Sequence, residues 1–195
     1  GVPWDWATLD EYFACLERVP SLANFATYAG HVAIRAAVMG AHAAHERAAT
    51  PEEVARIAEL VLAALELGAV GFSTDQVADN IGPGGTRLPG QVCGEDELLA
   101  IATVLGLGRG PGVFAMAPAA LLSSDRRVRE ADLEWHLRLA RASGRPVVVG
   151  PMFDTWADPG GGRDIIRSTV ARSSADARVV PQVSTRPFEL WTRLD

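Results

Sequence analysis

Four histidines, two cysteines and a scatter of carboxylates are the groups here that could move protons, hold a metal or attack a carbonyl. His31 comes first, because it follows an apolar run at 24–29 in the pair Gly30-His31. An imidazole at a strand end serves as acid, base, metal ligand or donor to a developing oxyanion. The other reading is a buried histidine that fixes a loop through a backbone carbonyl. Arg35 lies four residues on and shares a helical face with His31, either as an anion clamp or as a solvated helix residue. Ser73 ends another apolar run but has no Gly-x-Ser-x-Gly elbow around it, so it reads as a hydrogen-bonding group at a strand end. Asp75 and Asp154 are candidate metal ligands or bases on one reading, and loop or capping aspartates on the other.

The remaining groups are less promising. His42 and His45 are three apart, a spacing at which two imidazoles can converge on one ion, but no third ligand is near and a helix end is the simpler reading. His136 sits beside Leu137 in an amphipathic segment and reads as a helix-surface group. Cys15 and Cys93 lie far apart in no metal-ligand spacing, so they are expected to be reduced thiols. The run Gly106-Leu107-Gly108-Arg109-Gly110 follows a helix and precedes a strand, the reverse of the order a phosphate loop needs, and is a connector.

These groups must be positioned by alternating elements. Thr50-Pro51-Glu52-Glu53 combines a capping residue, a proline for the first helical position and a glutamate that closes a capping box. Val54, Ile57, Ala58, Val61, Leu62 and Leu65 then recur at helical spacing up to Gly68. The apolar run 69–73 follows, as a buried parallel strand would. The alternation repeats, with helices expected over 9–18, 95–105, 129–143 and 164–173 and strands over 24–29, 112–117, 146–150 and 179–183. The intervals suit helical crossovers and give five parallel strands. By counting alone, five strands in 195 residues suit an open doubly wound sheet, or else an incomplete barrel, since a closed (β/α)8 barrel takes about 250 residues. The Gly/Pro-rich stretches 82–85 and 159–162 each follow a strand and read as loops on the face where chemistry is found. The whole of 1–195 reads as one domain.

Composition sets the outer bounds. With 48% apolar and 22% charged residues, the chain is an ordinary globular one. All 18 basic residues are arginine, set against 24 acidic ones, and the net charge of −6 is spread in short patches. That disfavours a nucleic-acid partner. No apolar run approaches the roughly 20 residues of a membrane span, and the start lacks the pattern of a signal peptide, so a cytoplasmic protein with no membrane partner is expected. The chain begins without Met and in mid-pattern, as a piece of something longer would.

Gly30-His31-Val32-Ala33-Ile34-Arg35, Val38-Met39-Gly40, and the run from Ala64 through Gly71-Phe72-Ser73-Thr74 together resemble the N-acyl-D-amino-acid deacylases, the D-aminoacylases of the metal-dependent amidohydrolase superfamily. The stretch from Trp4-Asp5-Trp6 to Tyr12, and Leu88-Pro89-Gly90 ahead of Glu97-Leu98-Leu99, are similar to a branch of that family. The resemblance implies an α/β fold of parallel (β/α) units forming part of a TIM-type (β/α)8 barrel, with about five of eight strands present, the third to the seventh. It implies a hydrolase of non-peptide carbon–nitrogen amide bonds acting on an N-acyl amino acid or related amide. His31, Arg35 and Ser73 match motif positions and are the expected catalytic residues. Zinc is implied by the resemblance alone, and it would activate water and polarise the amide carbonyl. The family histidines that end the fifth and sixth strands are missing, since those strand ends read Phe114-Ala115-Met116-Ala117 and Val149-Gly150-Pro151-Met152. Two other readings stay open. One is a non-catalytic truncated or diverged barrel that pairs with a second copy through exposed strand edges, and the other is a small-ligand-binding α/β domain.

Overall fold

The structure is a computed structural model and describes residues 5–18, 22–121, 123–154, 158–183 and 185. Its first helix, α1, is Leu9–Arg18, and the Glu11 carboxylate caps it by accepting from the amides of Ala7 and Thr8. Strand β1 is Tyr28–Gly30, starting later than the apolar run at 24–29 suggested and ending one residue past it, where Gly30 turns the backbone directly into helix α2, His31–Met39. The short α3, Ala43–Glu46, leads to α4, Pro51–Glu66.

Helix α4 starts where its sequence says. The Thr50 hydroxyl accepts from the Glu53 amide at 3.3 Å, and the Glu53 carboxylate accepts from the Thr50 amide at 2.8 Å. Two hydrogen bonds of 2.7 Å from Arg47, together with that amide, hold the Glu53 pKa down to about 2. Thr50→Ala should therefore cost about 1 kcal/mol, read as a lower denaturant midpoint with an unchanged slope.

Beyond α4 come β2, Gly71–Asp75; α5, Pro89–Val92; α6, Glu95–Leu107; β3, Val113–Ala117; α7, Arg126–Ser143; β4, Val147–Met152; α8, Gly161–Arg172; and β5, Val179–Val183. Helix α7 begins three residues before the expected start because Asp125 caps it, accepting from the Arg127 amide. No described helix is long and apolar enough to cross a membrane.

The five strands are parallel and lie in sequence order, β1-β2-β3-β4-β5. That order settles which architecture this is. A doubly wound sheet reverses its strand order part-way so that helices cover both faces. Right-handed crossovers between strands that step in one direction put every helix on the same face. The burial pattern agrees. Phe72, Phe114, Met116, Val147, Val149 and Val179 are buried in one core with Ile57 and Val61 of α4, Leu98 and Ile101 of α6, and Leu133 and Leu137 of α7. Their neighbours Ser73, Ala115, Val148 and Val180 lie on the opposite face and are only half-buried. The open doubly wound sheet favoured by counting is thus excluded. This is a singly wound run of βα units with one bare face, the arrangement of a (β/α)8 barrel whose bare face is the lumen.

Candidate functional site

Two of the three motif residues meet, and they meet in the layer between sheet and helices. His31 is 1% exposed and Arg35 is fully buried. His31 Nδ1 lies 2.8 Å from the hydroxyl of Thr74, and Nε2 lies 2.7 Å from Oε1 of Glu97. The ring also packs edge-on against Phe72 at 5.1 Å between centroids. Arg35 donates to the other Glu97 oxygen and to the carbonyls of Ala44 and Arg47, so one guanidinium ties α2 to α6 and to the segment around α3. Arg35 is accordingly an anion clamp, on a carboxylate of its own chain, and not a solvated helix residue. His31 is buried, but its partners are a hydroxyl and a carboxylate where the buried reading had a backbone carbonyl.

Burial opposes the charge on Glu97, yet the hydrogen bonds from His31 and Arg35 outweigh it and leave the carboxyl below its usual range. For His31 burial prevails over the pull of Glu97, so the imidazole titrates below its ordinary value. Glu97 is the residue that sequence reasoning missed. Its signal was present, because it falls with Leu98, Ile101, Ala102 and Leu105 on the buried stripe of α6.

Ser73 does not join this cluster. Its register neighbours are Gly30 on β1 and Ala115 on β3, and it looks out from the bare face among small residues. Asp75 acts locally at the end of β2, accepting from the Val77 amide at 2.9 Å and from Asn80 at 2.7 Å. Asp154 accepts from the Gly162 amide at the start of α8. Both carboxylates thus do loop and cap duty. His42 is exposed and paired with Glu46, and His45 contacts the Arg87 carbonyl at 2.6 Å. Both cysteines are free. Of the strand-end segment 182–186, residues 184 and 186 lie outside the described residues.

His136 is a correction. It is fully buried, not a helix-surface group, because α7 turns the stripe Asp132, Leu133, His136, Leu137 and Ala140 inward. Among the described residues neither ring nitrogen has a hydrogen-bond partner, and Asp132 Oδ2 is 4.0 Å from Nε2. Burial pushes its pKa down to about 4. Below the unfolded value of 6.5 the unfolded chain therefore binds a proton that the folded chain refuses, and stability is lost as pH falls from there towards 4. His136→Leu should flatten most of that acid slope in urea titrations run at several pH values while leaving stability at pH 7 equal or higher.

The zinc site implied by the family resemblance does not fit these residues. The ends of β3 and β4 present Ala117 and Met152, and the described residues contain no group of three or more His, Cys, Asp or Glu side chains able to hold a metal.

No protein-family model matches the sequence, and no curated protein is detectably similar to it. Solved structures do match. What the strand order and the bare face define is a partial (β/α)8 barrel. Solved structures it resembles include three of D-aminoacylase: a mutant in complex with copper chloride, one described by one-metal activation and second-metal attenuation of a binuclear metal centre, and one said to define a novel subset of amidohydrolases. Each has a TM-score of 0.71 and 24% sequence identity over 94% of this chain. The chain spans 34% of the length of those D-aminoacylases. At that identity the likeness is one of fold.

Proposed function

We propose that this chain is the central part of an amidohydrolase-type barrel that hydrolyses the carbon–nitrogen bond of an N-acyl amino acid or a closely related small amide. The observation that supports it is the singly wound sheet, whose bare face carries the small residues Gly30, Ser73 and Ala115 side by side on β1, β2 and β3. In this reading Ser73 contacts substrate, and His31 and Arg35 act from behind the sheet by fixing the strand ends. The described residues offer no ligand set for zinc. The metal chemistry of such an enzyme would need ligands from other parts of a longer protein.

A second reading has its own support. Ala117 and Met152 stand where the resemblance expects histidines, as they would in a barrel that has left catalysis behind. One experiment separates the two. The complete gene product, purified and loaded with zinc or cobalt, is offered N-acetyl-D- and N-acetyl-L-amino acids. Release of free amino acid with stoichiometric metal supports the hydrolase; no bound metal and no turnover supports the diverged barrel.

A further inference from the structure

The cluster around His31 lies on the helix side of the sheet, away from the bare face, yet it reaches the end of β2 and the long loop at 76–94. We propose that Arg35, Glu97, His31 and Thr74 form a hydrogen-bond relay of fixed direction that holds the end of β2 and the 76–94 loop in place, with Glu97 as the positioning residue.

The direction follows from donors and acceptors. Arg35 is always a cation and donates to Glu97, which is therefore an ionised acceptor. The Glu97 oxygen 2.7 Å from His31 Nε2 must then accept a hydrogen bond from an Nε2–H. The Arg35–Glu97 pair is already neutral as a whole, so a second proton on the ring would bury an uncompensated positive charge. The ring stays neutral, and its Nδ1 lone pair accepts from the Thr74 hydroxyl at 2.8 Å. The groups facing the ring are Arg35 from its own helix, Glu97 from α6, and Thr74 and Phe72 from β2. Cys93, beside Glu97, stays a neutral thiol, since burial foremost pushes it up to about 12.

The relay continues into the loop by contact. A Cβ on Gly90 would lie 2.5 Å from the Thr74 hydroxyl oxygen and 2.2 Å from the Asp75 carbonyl oxygen, so the backbone of α5 rests directly on the end of β2. The Gly90 carbonyl accepts from Gln76 Nε2 and from the Cys93 thiol. Gln91 Nε2 donates to the carbonyls of Val77 and Asn80, and Arg87 donates to the carbonyl of Gln91. The loop is thus a self-bonded unit that is tied to the strand ends by hydrogen bonds at Asp75 and Ala117 and rests at Gly90 on Thr74, and Thr74 is oriented from α6 through His31.

This rests on the proposed function only in treating the strand-end face as the functional one. Its test needs no turnover, so failure of the hydrolase reading and failure of the relay are distinguishable. In the full-length protein labelled with 15N-histidine, His31 should appear as the neutral Nε2–H tautomer at about pH 7, with any titration displaced below the ordinary value of 6.5. Thr74→Val should speed amide exchange of residues 76–94 by about tenfold, the equivalent of one lost buried hydrogen bond. Thr74→Ser should restore the original rates. Glu97→Gln, where it folds, should move the His31 ring resonances. A ring that titrates near 6.5, an Nδ1–H tautomer, or loop exchange unaltered by Thr74→Val overturns the relay.

Discussion

Glu97→Ala is expected to destabilise the protein by about 3–5 kcal/mol, the usual cost of removing one partner from a buried ion pair. The charge left behind decides the size of the effect. Arg35 is fully buried and keeps its proton under all ordinary conditions, so it has no neutral state to retreat to. Its remaining partners are the carbonyls of Ala44 and Arg47, which accept hydrogen bonds but supply no countercharge. His31 simultaneously loses the acceptor for its Nε2 proton, adding a second unmet donor. Glu97→Gln should recover only part of the loss, since an amide offers one acceptor where two donors converge. Arg35→Met combined with Glu97→Met should cost less than the sum of the singles, because the pair is removed together. It should still cost more than a bare hydrophobic swap, because two buried carbonyls lose their donor. Denaturant titration of the wild type, Glu97→Ala, Glu97→Gln, the two methionine singles and their double checks this. A Glu97→Ala shift below about 0.5 kcal/mol would show that no uncompensated buried charge is left on Arg35.

How much of this was legible in the sequence depends on whether the determining interaction is local. Helix α4 was legible nearly to the residue, because Thr50, Pro51 and Glu53 act within one turn. The strands were legible as apolar runs, although β1 begins only at Tyr28 where the run begins at 24. Which faces of the sheet the helices cover was not legible from spacing, because the intervals between strands fit an open sheet and a barrel equally. Strand order resolves it, and only family resemblance anticipated the answer. The site was harder. His31 and Arg35 were visible as motif residues, but their common partner comes from 62 positions beyond Arg35. In the acidic run Glu95-Asp96-Glu97 the third residue looks like one more carboxylate favouring a helix N-terminus. The distinguishing feature is angular, since Glu97 shares the inward stripe with Leu98 and Ile101 while Glu95 remains exposed. His136 was misread for a related reason. A neighbour such as Leu137 marks one edge of a stripe, and the inward arc of α7 is wide enough to take in the residue before it.

Gly71→Ala should be nearly as damaging as loss of Glu97, at about 3 kcal/mol, and for a different reason. Gly71 opens β2 and pairs in register with Tyr28 on one side and Val113 on the other. A Cβ there would lie 1.9 Å from the Val113 carbonyl oxygen and 2.8 Å from its backbone nitrogen and carbon. The obstacle is sheet backbone, which has no rotamer to change, so relief requires the two strands to part where their ladder begins. Parting them strains the hydrogen bonds of β3 and disturbs the packing of Phe72 on Phe114, whose rings meet edge to face at 5.1 Å. Its backbone is not left-handed, so the cost is one of space alone. Gly30→Ala is the matched control. It lies on the same face of the adjacent strand, where a new Cβ meets nothing within 4 Å. Only the modest preference for glycine over alanine at the N-cap of α2 is lost, which keeps its cost below about 1 kcal/mol. The comparison also tests the sheet register. If the two alanines cost the same, β2 and β3 cannot be as close at Gly71 as their pairing with Val113 requires, and the bare face would need a different arrangement of strands.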